Sequence, residues 1–172
     1  MSSIAKIMKE WVIPFAVVIL IALAIRTYGF AHIQVFNVSM QNTLFEGHRL
    51  IENKLIYRFG EPKRGDIVII NGPEYPERLI KRVIGLPGET IDFADGHVRI
   101  NGVVLEEDYT QGFSSARSLA MPLVIPDDAY FLMGDNREHS VDSRDLGAIP
   151  MSSIEGKASF RFWPLSQMGM LE

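Results

Sequence analysis

The sequence predicts a mostly β fold, a compact β domain carried on one N-terminal membrane helix. Three observations predict it. Trp11–Ile25 (WVIPFAVVILIALAI) is an uncharged apolar run. From Ile33 onward helical periodicity is lost, and short runs rich in Val, Ile and Phe alternate with Gly and Pro. Asp95-Gly96 and Asn101-Gly102 are hairpin-turn signals a few residues apart, so Thr90–Leu105 reads as a small meander. A chain of 172 residues, 47% hydrophobic and 22% charged, fits one domain plus an appended segment and is neither disordered nor fibrous.

The apolar run is interrupted by Arg26 and continues to Ala31, which as a helix is roughly 30 Å, enough to span. Arg26, near one end, can snorkel to the headgroups. Trp11 and Tyr28 stand where interfacial aromatics belong, and Pro14 is tolerable near the start. Lys6 and Lys9 precede the run, so the positive-inside tendency places residues 1–10 in the cytoplasm. The organisation is then a cytoplasmic N-terminus (1–10), a transmembrane helix (11–31) and an extracytoplasmic β domain (32–172), anchored single-pass in the cell membrane. Two rival readings stand beside it. Ala22-Leu23-Ala24 matches a small-x-small cleavage site, though it lies inside the run with no polar stretch before it. A buried core helix would need a polar face that so uniform a run lacks.

Strands are expected at Ile33–Val38, Arg49–Asn53, Asp66–Ile70, Leu79–Ile84, Thr90–Phe93, His97–Ile100, Val103–Leu105 and Tyr130–Met133. Asn42–Glu46 reads as a short helical turn and Gly112–Met121 as an exposed loop. There is no internal repeat and no low-complexity tract.

Composition excludes several chemistries. A net charge of −4 argues against a nucleic-acid partner. The absence of Cys excludes disulfides, thiolate catalysis and iron–sulfur ligation. His32, His48, His97 and His139 lack metal-ligand spacing, so no metal and no cofactor is expected. There is no Gly-rich phosphate loop and no GxSxG elbow.

Three segments concentrate polar groups among apolar strands: Asn37–Leu44, Leu79–Glu89 and Met133–Arg144. In the second, strand alternation puts Lys81 with Leu79 and Val83, and Arg82 with Ile80 and Ile84. One of the two cations is therefore pressed toward the core. A buried lysine loses proton affinity and becomes a base usable near neutral pH. The competing reading is an edge strand with Lys81 in solvent. Ser39, on its own residues, reads better as a plain strand-end serine.

Taken together and in this order after a membrane helix, the three segments resemble the bacterial type I signal peptidases, membrane-bound serine proteases with a Ser/Lys dyad. Ser39-Met40 with Thr43-Leu44 resembles the nucleophile box, and Arg64-Gly65-Asp66-Ile67-Val68 the box that follows. Lys81–Glu89 resembles the lysine box. Gly134-Asp135-Asn136-Arg137, Ser140 and Asp142-Ser143-Arg144 resemble the last, with Gly147–Pro150 and Gly156–Ala158 as its tail. The resemblance covers nearly the whole chain. It implies Ser39 as nucleophile, Lys81 as general base and Ser140 as the hydroxyl that orients the amine. It implies an oxyanion hole made from the Ser39 N–H and the side chain two residues earlier, here Asn37. The family commonly has a small hydroxyl residue or Gly there. It also has Pro where Asn42 stands, and Asn where His139 stands.

Asp142 and Arg144, two apart, read as an ion pair sharing a strand face and supporting the Ser140 loop. Asp135 and Asn136 read as loop formers, Asp135 near the site; Asp66 reads as a turn or cap residue, and Met40 as packing beneath the nucleophile. The implied substrates are signal peptides of secreted preproteins, bound by strand addition at the outer membrane surface. The secretion translocon is a further expected partner, and the lipid bilayer another. Phe36, Val38, Leu44, Ile80 and Val83 are the candidates for shallow pockets around a small-x-small motif. Phe160–Leu165 (FRFWPL) either touches lipid or forms a last core strand. Three competing functions are a self-cleaving repressor, which would carry a basic DNA-binding domain, a maturation protease with one substrate, and an inactive membrane-anchored binding protein.

Overall fold

The computed structural model describes residues 7–75 and 77–171. Within the expected cytoplasmic segment, Lys6 and its neighbours lie outside the described residues, as does the Arg26 side chain.

Helix α1 runs over Met8–Gly29; its most apolar 18-residue window has mean hydropathy 2.1 and is not buried inside the protein. It starts earlier and stops sooner than the expected 11–31. Its α-helical middle, Ile13–Ala24, is flanked by wider π-type turns at Met8–Val12 and Ile25–Gly29. An apolar helix this long whose apolar window is exposed along its length does not pack as a core helix.

The helix passes directly into strand β1 (Phe30–Gln34), which pairs antiparallel with β2 (Arg49–Asn53) from Phe30↔Asn53 to Gln34↔Arg49. The expected strand Ile33–Val38 is therefore displaced toward the N-terminus. Phe30 and Ala31 count as membrane residues by hydropathy alone, but their backbone groups pair with β2. Residues 35–38 are irregular, and the turn expected at Asn42–Glu46 forms earlier, with the Thr43 and Leu44 N–H groups donating to the Met40 carbonyl at 2.9 and 2.7 Å.

The remaining strands are β3 (Ile67–Ile70), β4 (Leu79–Gly85), β5 (Thr90–Ala94), β6 (His97–Ile100), β7 (Val103–Val104), β8 (Leu123–Val124), β9 (Ala129–Met133), β10 (Ile149–Pro150), β11 (Ile154–Trp163) and β12 (Gly169–Met170). The large sheet has the order β1-β2-β11-β3-β4-β9-β10, with β12 on β11. A smaller sheet, β7-β6-β5-β8, contains the expected meander, and Asp95 and Asn101 take the positive φ that their hairpin turns require.

Strand β3 explains why the large sheet is buried on both faces. Its four residues, Ile67–Ile70, are all buried, and alternation sends Ile67 and Ile69 to one core and Val68 and Ile70 to another. The first core holds Val35, Met40, Leu44 and Leu50; the second holds Val83, Tyr130 and Leu132. A third joins the two sheets through Ile84, Ile91, Phe131 and Met133. Burial of each such side chain contributes on the order of 1.5–3 kcal/mol.

The FRFWPL segment has a divided fate. Phe160–Trp163 is the end of β11, a central strand paired with β2, β3 and β12. Trp163, Leu165, Met168 and Met170 are nevertheless exposed at its end.

Candidate active site

Ser39 sits on the turn after the irregular segment that follows β1, not at a strand end. The Lys81 Nζ lies 3.0 Å from its Oγ. Strand β4 carries Lys81 into this position, and Val68↔Lys81 pairing with β3 fixes its register. Ser39 is buried, and Lys81 is 1% exposed. Burial pushes the Lys81 amine down from 10.5 to about 8; Asp142 and Asp135 pull it the other way, and Arg144 adds to the fall.

Alternation does not force only one cation inward. Arg82, on the opposite face, is 3% exposed. Both faces of β4 are covered, so each cation needs its own remedy. Arg82 donates from Nε and a terminal nitrogen to the two Asp135 oxygens, both at 2.9 Å, and to the Gly65 carbonyl at 2.8 Å. Its guanidinium lies 4.0 Å from the Tyr109 ring centroid. Thr43 Oγ1 donates to Asp135 at 2.5 Å, which ties the nucleophile turn to this network. Asp135 is thus the buried counter-ion of Arg82.

Asp142 and Arg144 are an ion pair, but not on a strand. Asp142 is the N-cap of the one-turn helix α2 (Ser143–Leu146), closed by a capping box with Asp145. Arg144 grips both Asp142 oxygens at 2.8 Å, and the Gly134 N–H donates to one of them at 3.0 Å. Burial opposes ionisation of Asp142, yet Arg144, that N–H and Ser140 together hold its carboxyl below the ordinary value.

Asn37 and Ser140 flank the pair. Asn37 turns its amide oxygen, not its nitrogen, to Ser39: the Ser39 hydroxyl donates to Asn37 Oδ1 at 2.7 Å and the Ser39 N–H at 3.3 Å. The physical reason is that a backbone N–H can only donate, so an oxygen must face it. Ser140 is buried; its Oγ does not hydrogen-bond Lys81, and it stands beside Asp142, whose carboxyl it helps to lower. Gly134 explains the close approach of these loops, since a Cβ there would overlap both Ser140 Oγ and the Ser39 carbonyl.

A cleft of about 440 Å³ lies between residues 32–37 and Glu77, Arg78 and Ile80, lined by the chain neighbours of the pair and not by Ser39 or Lys81 themselves. Of the expected pocket residues, Phe36 and Ile80 line it, and Asn37 joins them. Val38 is exposed but does not line it. Leu44 and Val83 belong instead to the first and second cores, each fully buried. Leu44 follows the turn that folds back on Met40, and Val83 is held between β3 and β9, so neither can face a cleft.

Some positioning residues escape sequence reasoning. Asn136 donates its N–H to the Ser39 carbonyl at 3.0 Å and its Nδ2 to the Val38 carbonyl at 3.2 Å, clamping the nucleophile segment. Arg137 joins Glu107, Ser114 and the Gly134 carbonyl. Arg161 of β11 donates to the Thr43 carbonyl at 3.1 Å. The density of polar residues in Met133–Arg144 is the signal that points to Asn136 and Arg137; nothing in the local sequence marks Arg161.

A serine hydroxyl 3.0 Å from a buried lysine amine of lowered proton affinity, in a β domain on an apolar helix, is the arrangement a serine hydrolase with an amine base would need. Residues 8–163 match the family described as signal peptidase, peptidase S26. Signal peptidase I P of Bacillus subtilis subsp. natto is 38% identical over 92% of this chain and 90% of its own length. Signal peptidase I T of Bacillus subtilis strain 168 is 40% identical over 92% of this chain and 87% of its own length. A crystal structure of a signal peptidase I from Enterococcus faecalis V583 is 38% identical and covers 57% of this chain and 97% of that one, with a TM-score of 0.48. The chain belongs to the signal peptidase family, peptidase S26.

Proposed function

We propose that this chain is a membrane-anchored serine endopeptidase that removes N-terminal signal peptides from exported preproteins after a small-x-small motif. The observation that carries the reading is the buried Lys81 amine 3.0 Å from the Ser39 hydroxyl. Family membership and two signal peptidase I relatives of nearly equal length support the substrate class.

Ser39 Oγ attacks the scissile carbonyl carbon while neutral Lys81 takes the hydroxyl proton. The carbonyl π electrons move to oxygen, and the Ser39 N–H stabilises that charge once Asn37 releases it. Lys81 then gives the proton to the leaving amine as the peptide bond breaks. Water, deprotonated by Lys81, cleaves the ester and restores Ser39. Asp142 and Arg144 brace the Ser140 loop, and Asp135 holds Arg82 behind Lys81.

The cleft supports binding by strand addition. Among the described residues the outer edge of β1 is unpaired, and β9 pairs with β4 only from Arg82 onward. An extended peptide between these edges would run past Ser39. Helix α1 leads into β1 without a linker, which supports a site near the membrane surface. A preprotein emerging from the translocon, its apolar segment still in the bilayer, would present its cleavage site there. Lys9, in the first turn of α1, supports a catalytic domain on the outer side of the cytoplasmic membrane.

The test is cleavage of a preprotein by the detergent-solubilised chain. Wild type cuts after the small-x-small site, and Ser39→Ala and Lys81→Ala do not. A Lys81→Ala chain that still cuts well would sink the dyad.

A further inference from the structure

At the foot of α1 lies a recess of about 360 Å³, away from the catalytic cleft, lined by Thr27, Tyr28, Lys54, Tyr57, Arg58 and Glu155. Its level is set by covalent and hydrogen-bonded geometry. Tyr28 is in the last turn of the apolar helix, and the Lys54 N–H donates to the Gly29 carbonyl, the helix end, at 2.9 Å. The turn Ile56–Arg58 is therefore held beside the point where the helix leaves the bilayer.

The charge in the recess is unbalanced. Glu155 is shared between Lys54 at 2.6 Å and Arg78 at 2.7 Å. Arg58 makes no ion pair among the described residues, and its guanidinium lies over the Tyr28 ring, 5.1 Å from the centroid. Arg78 also pairs with Glu52, so three cations face two carboxylates and the excess charge is that of Arg58. Beside Arg58, Phe59 is 90% exposed and Ile56 39%, so the same turn offers apolar side chains with no protein cover.

We propose that this recess binds the phosphodiester of an anionic phospholipid headgroup, with Arg58 as its anchor and Phe59 and Ile56 entering the acyl boundary. The phosphodiester presents two free oxygens to the planar guanidinium, and Lys54 supplies a second cation. Aromatic and aliphatic side chains next to a basic one are what an interfacial segment needs. A bound headgroup would fix the tilt of the domain on α1, and with it the height of the cleft over the bilayer. The proposal rests on α1 crossing a membrane and not on the Ser39–Lys81 chemistry.

The experiment uses the full chain, released in mild detergent from a mixture of phosphatidylglycerol and phosphatidylcholine, with retained lipid read by native mass spectrometry. Wild type retains phosphatidylglycerol with a preference of about fivefold or more, the scale of one interfacial cation. Arg58→Gln brings the ratio to near parity, and Arg58→Lys keeps most of it. Phe59→Ser retains fewer lipids of either kind. Unchanged cleavage of a soluble peptide by Arg58→Gln shows that the variant is folded. No preference in wild type, or full preference in Arg58→Gln, overturns the proposal. Complete displacement of phosphatidylglycerol by millimolar inorganic phosphate would make this a free-phosphate site and overturns it too. Release of the chain from membranes by alkaline carbonate would instead refute the membrane anchor itself.

Discussion

Replacing Lys81 with Met should abolish cleavage and stabilise the protein. Burial moves the amine from its ordinary 10.5 to about 8. At roughly 1.4 kcal/mol per pH unit, that is about 3 kcal/mol. Below pH 8 the lysine is protonated in both folded and unfolded chains, and the folded state carries the whole cost of a buried charge. Between 8 and 10.5 the folded chain has lost the proton and the unfolded chain keeps it, so stability rises with pH. Met has similar length and no charge, which removes the cost but also removes the 3.0 Å hydrogen bond to Ser39, worth on the order of 1 kcal/mol. The net gain at pH 6 is about 2 kcal/mol, or roughly 4–8 °C in Tm for a chain of this size. The assay is thermal unfolding of the full chain in mild detergent at pH 6 and pH 10, wild type against Lys81→Met. The gain must shrink toward zero at the higher pH, because the wild type recovers there. A variant less stable than wild type at pH 6, or the same difference at both pH values, would refute the desolvated amine and the base assigned to it.

Wild-type kcat/KM should rise with pH through about 8, as the free enzyme's Lys81 loses its proton; an acidic limb with a midpoint near 6 would point to another base. Asn37→Ala should speed acylation of Ser39 by a small activated ester several-fold, because the Ser39 N–H and hydroxyl are freed from Asn37 Oδ1. A fall of about 10²–10³ in kcat would instead make Asn37 an oxyanion donor. Asp142→Asn, which leaves buried Arg144 without its carboxylate, should cost on the order of 3–5 kcal/mol in urea unfolding. That loss should hold above the ordinary aspartate value of 3.8 and fade as pH falls through the lower folded value. With Trp11→Phe as background, Trp163 fluorescence should be quenched by brominated lipid, since its ring is half-exposed; no quenching would take the end of β11 away from the bilayer.

What was legible in the sequence follows from period and turn chemistry. β3, β4, β5 and β6 were readable because Val and Ile residues there are bounded by Gly or Asn turns. β8, β10 and β12 have two residues each, too short for any alternation to show. β11 was half hidden, because Ile154–Ser159 mixes Glu, Gly and Lys into a strand whose place is set by partners far away in sequence. The start of β1 was absorbed into the membrane run, since hydropathy cannot tell a lipid-facing Phe30 from one at a sheet edge. In the site, the boxes led to Ser39, Lys81 and Asp142–Arg144. The direction of the Asn37 amide and the missing bond from Ser140 to Lys81 are matters of rotamer, beyond the reach of residue type. Leu44 and Val83 were misplaced for a plain reason: apolar residues next to a catalytic group are more often its foundation than its pocket.

The two neighbouring cations on β4 show why the site needs so much surrounding structure. Each is withdrawn from water, and each meets the cost differently. Arg82 receives a carboxylate in bidentate geometry, a carbonyl and an aromatic face, so its charge is matched where it lies. Lys81 receives a hydroxyl alone at hydrogen-bond distance, with Asp135 and Asp142 felt only through their fields. Both of those carboxylates are already spent, one on Arg82 and the other on Arg144. If either arginine were lost, its carboxylate would turn its field on Lys81, raise the amine and return the proton that catalysis needs removed. In the proposed mechanism the buried ion pairs would act on the reaction without touching substrate, by occupying the acids that would otherwise keep Lys81 charged.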